Sequence, residues 1–366
     1  MFRLNPWLFA VMGLLFTFPA FAEPTDRVPR YARACQPRLA PPQNRSTEET
    51  PLWGTRQTWD GREGLDAESH VLVAVNLYPL AWDPERVKGI MLQDGHLKGS
   101  GANDTLQRTV LQGEGSHGEV VEVTLCGAEA DPSDPSLYKY RLEAWNANSQ
   151  EWENPCVATE EVPNPWALAL GGTWDLSGAH HDTPGKFTFA CQTGVLSQCV
   201  TWGYKPWARR NGRSLSEHHQ ACTRMVRADY CGNGKSHARE LPLMGRNDHL
   251  GISEPLAAKS QGEPAGTVFE AGWAPDGASC MASPREVPGL REVNNECPGR
   301  FRMRTYDLRT GDKCRAYRAD AESPPPELLQ SWTLASRPGL PTKVLGQNPK
   351  GHGFVPPPRV PRDRVW

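Results

Sequence analysis

The sequence predicts a mainly β protein with one short α-helix, or an α+β variant of it, built as two β-rich parts stapled by disulfides. Three observations lead there. The 366 residues include 34 Gly and 34 Pro, a content that favours turns over long helices. Apolar residues fall in short runs, several of them alternating with period two. Ten cysteines, an even number, all follow residue 34.

The N-terminus reads as a secretory signal. Arg3 precedes an apolar run from Trp7 to Phe18, and Ala20-Phe21-Ala22 supplies small residues for cleavage after Ala22. The run is short of the roughly 20 residues a spanning helix needs, and Pro19 interrupts it. Cys35 stands too far along for lipid attachment, so the mature chain is expected to be secreted, extracellular or periplasmic, without a transmembrane anchor. Residues 23–67 are polar and rich in Pro, Arg and Thr, an extended lead-in.

From His70 the pattern changes, and residues 68–160 read as a small antiparallel β domain. Val71 to Leu77 and Val87 to Leu92 are apolar runs, and Asp94-Gly95 marks a hairpin turn into His96 to Lys98. Val121, Val123 and Leu125 alternate with polar residues, as do Tyr138, Tyr140, Leu142 and Ala144. Pro163 and Pro165 mark a boundary. Beyond it, residues 161–318 offer strands at Ala167 to Trp174 and Phe187 to Ala190, the latter running to Cys191 and pairing across a hairpin at Thr193-Gly194 with a strand from Cys199 to Tyr204. The best helix follows: Leu215, His219, Cys222, Val226 and Tyr230 recur at helical spacing. Ser214 or Ser216 can cap it, and Gly232 and Gly234 stop it. Residues 319–366 form a Pro-rich tail, with ten prolines from Glu322 onward.

Formal net charge is −2, which gives no reason to expect nucleic acid as a partner. The charge is uneven, however. Glu114 to Glu161 holds eleven acidic residues against Lys139 and Arg141, whereas Thr201 to Leu250 holds nine Lys or Arg against four acids. Either these are solvated surfaces of different sign, or the halves dock on one another.

Ten cysteines in an exported chain predict disulfides: Cys35, Cys126, Cys156, Cys191, Cys199, Cys222, Cys231, Cys280, Cys297 and Cys314. No two are spaced as zinc ligands require. Cys222 lies within the helix and Cys231 beyond it, too far apart to bridge, so both pair elsewhere. Cys191 and Cys199 bridge each other or reach the helix pair, with the second preferred. Cys126 with Cys156 is expected in the front part, Cys35 holds the N-terminal segment, and Cys280, Cys297 and Cys314 supply a bridge behind.

The words GKFTFAC, QCVTWGYKPW, HHQACTRMVRADYCGNG and FEAGWAPDGASC resemble the ADYC-domain proteins, an uncharacterised bacterial family named for the word Ala228-Asp229-Tyr230-Cys231. The resemblance runs from about Gly171 to Cys314 and implies an exported protein with a single domain of this type. Asn233 stands where the family pattern has Asp, and Ala238-Arg239-Glu240 replaces a Thr-Arg-Asp-Gly-Thr run. The family brings no activity with it.

Candidate chemistry is sparse. His219 and Cys222, a turn apart on one helix face with His218 turned outward, have the types of a base and a nucleophile, but a bridged Cys222 is unavailable. His219, His237 and Asp248 make a possible three-ligand metal site and hence a metal-assisted hydrolase. Asp229, between Arg227 and the two glycines, either accepts backbone hydrogen bonds at the helix end or pairs with Arg224 or Arg227. Trp202, Tyr204 and Trp207, around Lys205 and Pro206, are either a binding platform for sugar or peptide or part of the core. The favoured expectation is a non-catalytic binding or structural module for an envelope or extracellular ligand, with no cofactor.

Overall fold

The computed structural model describes residues 27–36, 51–55, 71–79, 89–99, 106–238, 243–253, 266–285, 289–303, 314–320 and 326–334. The expected signal segment, most of the lead-in, Arg239-Glu240 and the tail beyond 334 lie outside them. The chain divides into residues 1–33, whose described element is helix α1 (Arg27–Ala32), and residues 34–366.

The larger unit is mainly β. Strands β1 (Leu72–Pro79), β2 (Ile90–Gln93), β3 (His96–Gly99), β4 (Val110–Gly115), β5 (Val120–Ala130), β6 (Tyr138–Asn146), β7 (Glu151–Glu153), β8 (Ala167–Gly171), β9 (Thr173–Trp174), β10 (His180–His181) and β11 (Lys186–Cys191) come first. Helix α2 (Val195–Thr201), the hairpin β12 (Arg209–Arg210) and β13 (Arg213–Ser214), and helix α3 (Ser216–Arg227) follow. Then come β14 (Leu243–Asn247), β15 (Thr267–Ala274), β16 (Gly277–Met281), α4 (Leu290–Glu296), β17 (Phe301–Met303), β18 (Ala316–Arg318) and β19 (Leu329–Leu334).

Six of the early strands close on themselves in the order β5-β4-β1-β11-β8-β6, with β5 pairing β6 to complete an antiparallel barrel and β7 added outside β6. Alternation sets what points inward: Val121, Val123 and Leu125 from β5, Tyr140 and Leu142 from β6, Phe187 and Phe189 from β11. On β8 the inward residues are small, and Phe189 lies opposite Ala169 and Phe187 opposite Gly171, so the large rings have room. A barrel of six strands is narrower than the roughly eight-stranded kind that holds a ligand, and these side chains fill it. The Asp94-Gly95 turn takes positive φ at both positions, as a two-residue hairpin requires. It delivers Ile90 and Leu97 into the same core.

The barrel draws β8 and β11 from beyond Pro163 and Pro165, so the front sheet runs across that expected boundary. Its second layer is on their outer faces. Leu168, Leu170 and Ala190 pack there with Trp53, Trp166, Trp174, and Leu196 and Val200 of α2.

Helix α2 corrects the expectation of a strand from Cys199 and a hairpin at Thr193-Gly194. Gly194 is the N-cap and gives no side-chain bond. The orphan N–H groups of Val195 and Leu196 instead donate to Pro51 and Leu52 carbonyls, 3.0 and 3.1 Å away, from a segment distant in sequence. A Cβ on Gly194 would come within 2.5 Å of the Trp53 carbonyl carbon.

The second sheet runs β14-β19-β15-β16-β18-β17, antiparallel throughout. Helix α3 lies between it and α2, buried along residues 218–227. His218 is therefore 4% exposed, against the expectation that it faces solvent. The helix is capped at Leu215, neither expected serine taking the N-cap position, while the Ser214 hydroxyl accepts from Ser216 N–H at 3.3 Å.

All ten cysteines are bridged: Cys35–Cys126, Cys156–Cys191, Cys199–Cys222, Cys231–Cys297 and Cys280–Cys314. Cys222 and Cys231 do pair elsewhere, and Cys35 ties residues ahead of the barrel to β5. Cys126 does not meet Cys156, because β11 lies beside β8 and brings Cys191 to Cys156 instead. Of the Cys191 and Cys199 pair, Cys199 reaches α3 and Cys191 does not. Five bridges indicate an oxidising, extracytoplasmic environment. No described helix is long and apolar enough to cross a membrane.

Candidate functional site

Helix α3 ends where the word Ala228-Asp229-Tyr230-Cys231 begins, and each of its four residues has a separate structural task. Ala228 takes the left-handed conformation, φ 51°, and closes the helix with its N–H on the Met225 carbonyl. Asp229, 1% exposed, accepts from Arg224 Nη1 at 2.5 Å and from the backbone N–H groups of Asn233 and Gly234 at 3.1 and 3.0 Å. The expected pairing with Arg224 is thus present, and the same carboxylate shapes the loop that follows. Arg224 also donates to the Pro275 carbonyl at 3.1 Å and to that of Ser177.

Tyr230 reaches under the second sheet. Its hydroxyl donates to Glu270 Oε1 at 2.8 Å and accepts from the Arg285 N–H at 2.7 Å. Arg285 Nε donates to the same Glu270 oxygen at 2.7 Å, and its Nη atoms cap the carbonyls of Met225 and Val226. Ser331 donates to Glu270 Oε2 at 2.8 Å and accepts from the Trp273 indole at 2.7 Å. Burial, with the Glu270 carboxylate adding to it, holds the Tyr230 phenol well above its ordinary value. Burial is the largest single effect on Arg285 and would lower it; Glu270 and Tyr230 together outweigh it and raise it. The charges are matched inside, and the hydroxyl stays protonated. Cys231 then bridges to Cys297 after α4, and Gly232 packs on the Asp276 carbonyl so closely that a Cβ would overlap it.

Glu270, Arg285 and Ser331 are absent from the sequence-based candidates. A signal for Glu270 exists: it sits inside the apolar strand TVFEAGWA, where a carboxylate demands a buried partner. Its partner Arg285 lies beyond the next strand and has no local mark.

A second polar cluster joins residues from two of the expected sites. Tyr204 and Asp248 meet at 2.8 Å, and the Tyr204 hydroxyl also meets Ser253. Asp248 accepts from the N–H groups of Leu250, Ile252 and Ser253, locking the turn after β14. Arg246 Nε donates to the Ser253 hydroxyl at 3.0 Å, and its guanidinium lies 3.9 Å over the Trp202 ring. Tyr204 is wholly buried, its phenol pushed up by burial. The aromatic trio therefore divides: Tyr204 is core, while Trp202 and Trp207 are half-buried.

His219, His237 and Asp248 do not converge. His219 is 1% exposed, bonded to the Leu196 carbonyl at 3.1 Å and edge-on to Trp174. Burial lowers its pKa to about 4. His237 lies 3.1 Å from Glu296 beside Tyr230. Among the described residues, these three form no group with ligand atoms within 4.8 Å of one another. The group that does, Cys35, Cys126 and Glu143, has both sulfurs bridged to each other. Cys222 is bridged too, so no thiol nucleophile stands beside His219.

No curated protein and no solved structure matches the chain. The ADYC domain matches residues 103–287. That span opens within the barrel, ahead of Gly171, and takes in the helix, the motif loop and the Glu270–Arg285 network around it. With half of its length matched by that domain, and with the motif residues buried at the junction of helix and sheet, the chain belongs to the ADYC domain family.

Proposed function

We propose that the chain is exported, cleaved after Ala22, and acts as a non-catalytic binding or structural module of the envelope or extracellular space. One observation carries the reading: Asp229 and Tyr230 spend their polar groups on Arg224, Glu270 and backbone N–H groups inside the protein, and Cys231 is bridged. The family word therefore serves architecture, and a ligand must be met by the surface. Trp202 with its stacked Arg246, and Trp207, pack one side on the core and are half-buried, which leaves aromatic surface for such a contact. An aromatic face beside a guanidinium suits a sugar or peptide of an envelope polymer. Neither nucleic acid nor a cofactor belongs to this reading. Pull-down of an envelope fraction by the disulfide-bonded chain tests it. Binding by the natural chain, lost in Trp202→Ala/Trp207→Ala with unchanged thermal unfolding, supports the module; equal binding by both refutes this surface, and turnover in a hydrolase panel refutes the non-catalytic reading.

A further inference from the structure

The hairpin β12–β13 breaks a local rule. Arg209, Arg210 and Arg213 are exposed, and Arg210 lies directly across from Arg213. Like charges placed opposite one another on paired strands repel. The turn between them, Asn211-Gly212, has positive φ at both residues and so holds the two side chains on one face of a tight, preformed hairpin. No described carboxylate pairs with any of the three arginines; Arg209 donates to the Gly212 carbonyl. Of the described carboxylates in this stretch, Asp229 is turned inward to Arg224 and Asp248 to Tyr204, and the exposed Glu217 forms no ion pair with the three hairpin arginines.

From this juxtaposition we infer that Arg210 and Arg213 clamp a carboxylate of an acidic glycan, with Trp207, two residues ahead of Arg209, offering its ring to a sugar. Two guanidinium forks about 5 Å apart at their Cβ atoms fit a planar oxyanion held between them. The anion removes the repulsion that the bare hairpin carries. A lipid surface fits less well, because the tip is Asn-Gly and carries no apolar side chain to insert.

The inference rests on the module reading and names its ligand class. The test is retention of the disulfide-bonded chain on immobilised polygalacturonate, with neutral dextran and phosphatidylglycerol vesicles as controls. The natural chain is expected to bind polygalacturonate and not dextran, and Arg210→Gln/Arg213→Gln to lose at least tenfold in affinity at unchanged or higher thermal stability. Equal binding by the double variant, no binding to polygalacturonate, or binding to vesicles alone overturns the clamp. If the envelope fraction is still bound through Trp202 and Trp207 when polygalacturonate is not, the clamp fails and the module stands; if neither is bound, both fail.

Discussion

The Tyr230 hydroxyl donates to Glu270 Oε1 at 2.8 Å, and neither residue is exposed to water. This bond joins the end of α3 to the centre of the second sheet, and Arg285 closes the triangle. Tyr230→Phe removes a donor to a buried carboxylate and an acceptor for the Arg285 N–H. A loss of about 1–3 kcal/mol is expected, read by chemical denaturation. Asp229→Ala is expected to cost more, about 3–5 kcal/mol, because Arg224 is left charged, buried and without its partner carboxylate. If either change left stability untouched, the network would be ornamental.

Acid should unfold the protein early. His219 is neutral in the folded state, with its pKa lowered from 6.5 to about 4 by burial, whereas an unfolded chain takes up the proton near 6.5. Stability is thus fully present above pH 6.5 and falls as pH drops from there toward 4, by about 3 kcal/mol in all. His218 and His237 are lowered by burial too and add in the same direction. Denaturation midpoints at pH 7.5 and 4.5 check the slope, and His219→Gln, which keeps a donor for the Leu196 carbonyl, should flatten it. A slope unaltered by that substitution would show that His219 is not its source.

Two glycines with similar backbone make an internal comparison. Gly232 has φ 68° and packs on the Asp276 carbonyl; Gly212 has φ 77° and nothing within 4 Å of an added Cβ. Gly212→Ala should cost only the left-handed conformation, about 1–2 kcal/mol. Gly232→Ala must also push the β15–β16 turn away, so it should be clearly the more destabilising of the two. Thermal unfolding of the pair decides it, and equal losses would mean that the motif loop does not press on that turn.

The β pattern was legible because alternation is a local property. Val121, Val123 and Leu125, with Tyr140 and Leu142, could be assigned to a buried face from spacing alone, and Asp94-Gly95 to its turn. Helix α2 was not legible for a physical reason: its cap is a glycine and its first N–H groups are satisfied by Pro51 and Leu52, a tertiary contact. The i, i+4 pairs Val195–Cys199 and Leu196–Val200 were the available signal, masked by β-branched residues. Disulfide partners failed where they depended on strand order, since only the neighbouring of β8 and β11 brings Cys191 to Cys156. The Asp229–Arg224 pair was legible from its five-residue spacing near a helix end. Glu270–Arg285 was not, because the chain reverses between them.

The Cys199–Cys222 bridge joins α2 to α3 and closes a separation of 23 residues. Replacing both cysteines by serine should lower stability by about 3 kcal/mol, measured by denaturant unfolding. An unchanged midpoint would mean that packing between the two helices holds them without the bond.

If the ADYC word builds the fold, Cys231 is oxidised in the native protein. Peptide mapping by mass spectrometry of the unreduced, alkylated protein should recover Cys231 joined to Cys297 and no alkylated cysteine at all. Recovery of Cys231 as an alkylated free thiol would contradict the account, because a reactive sulfur would then stand in the motif beside Asp229 and Tyr230.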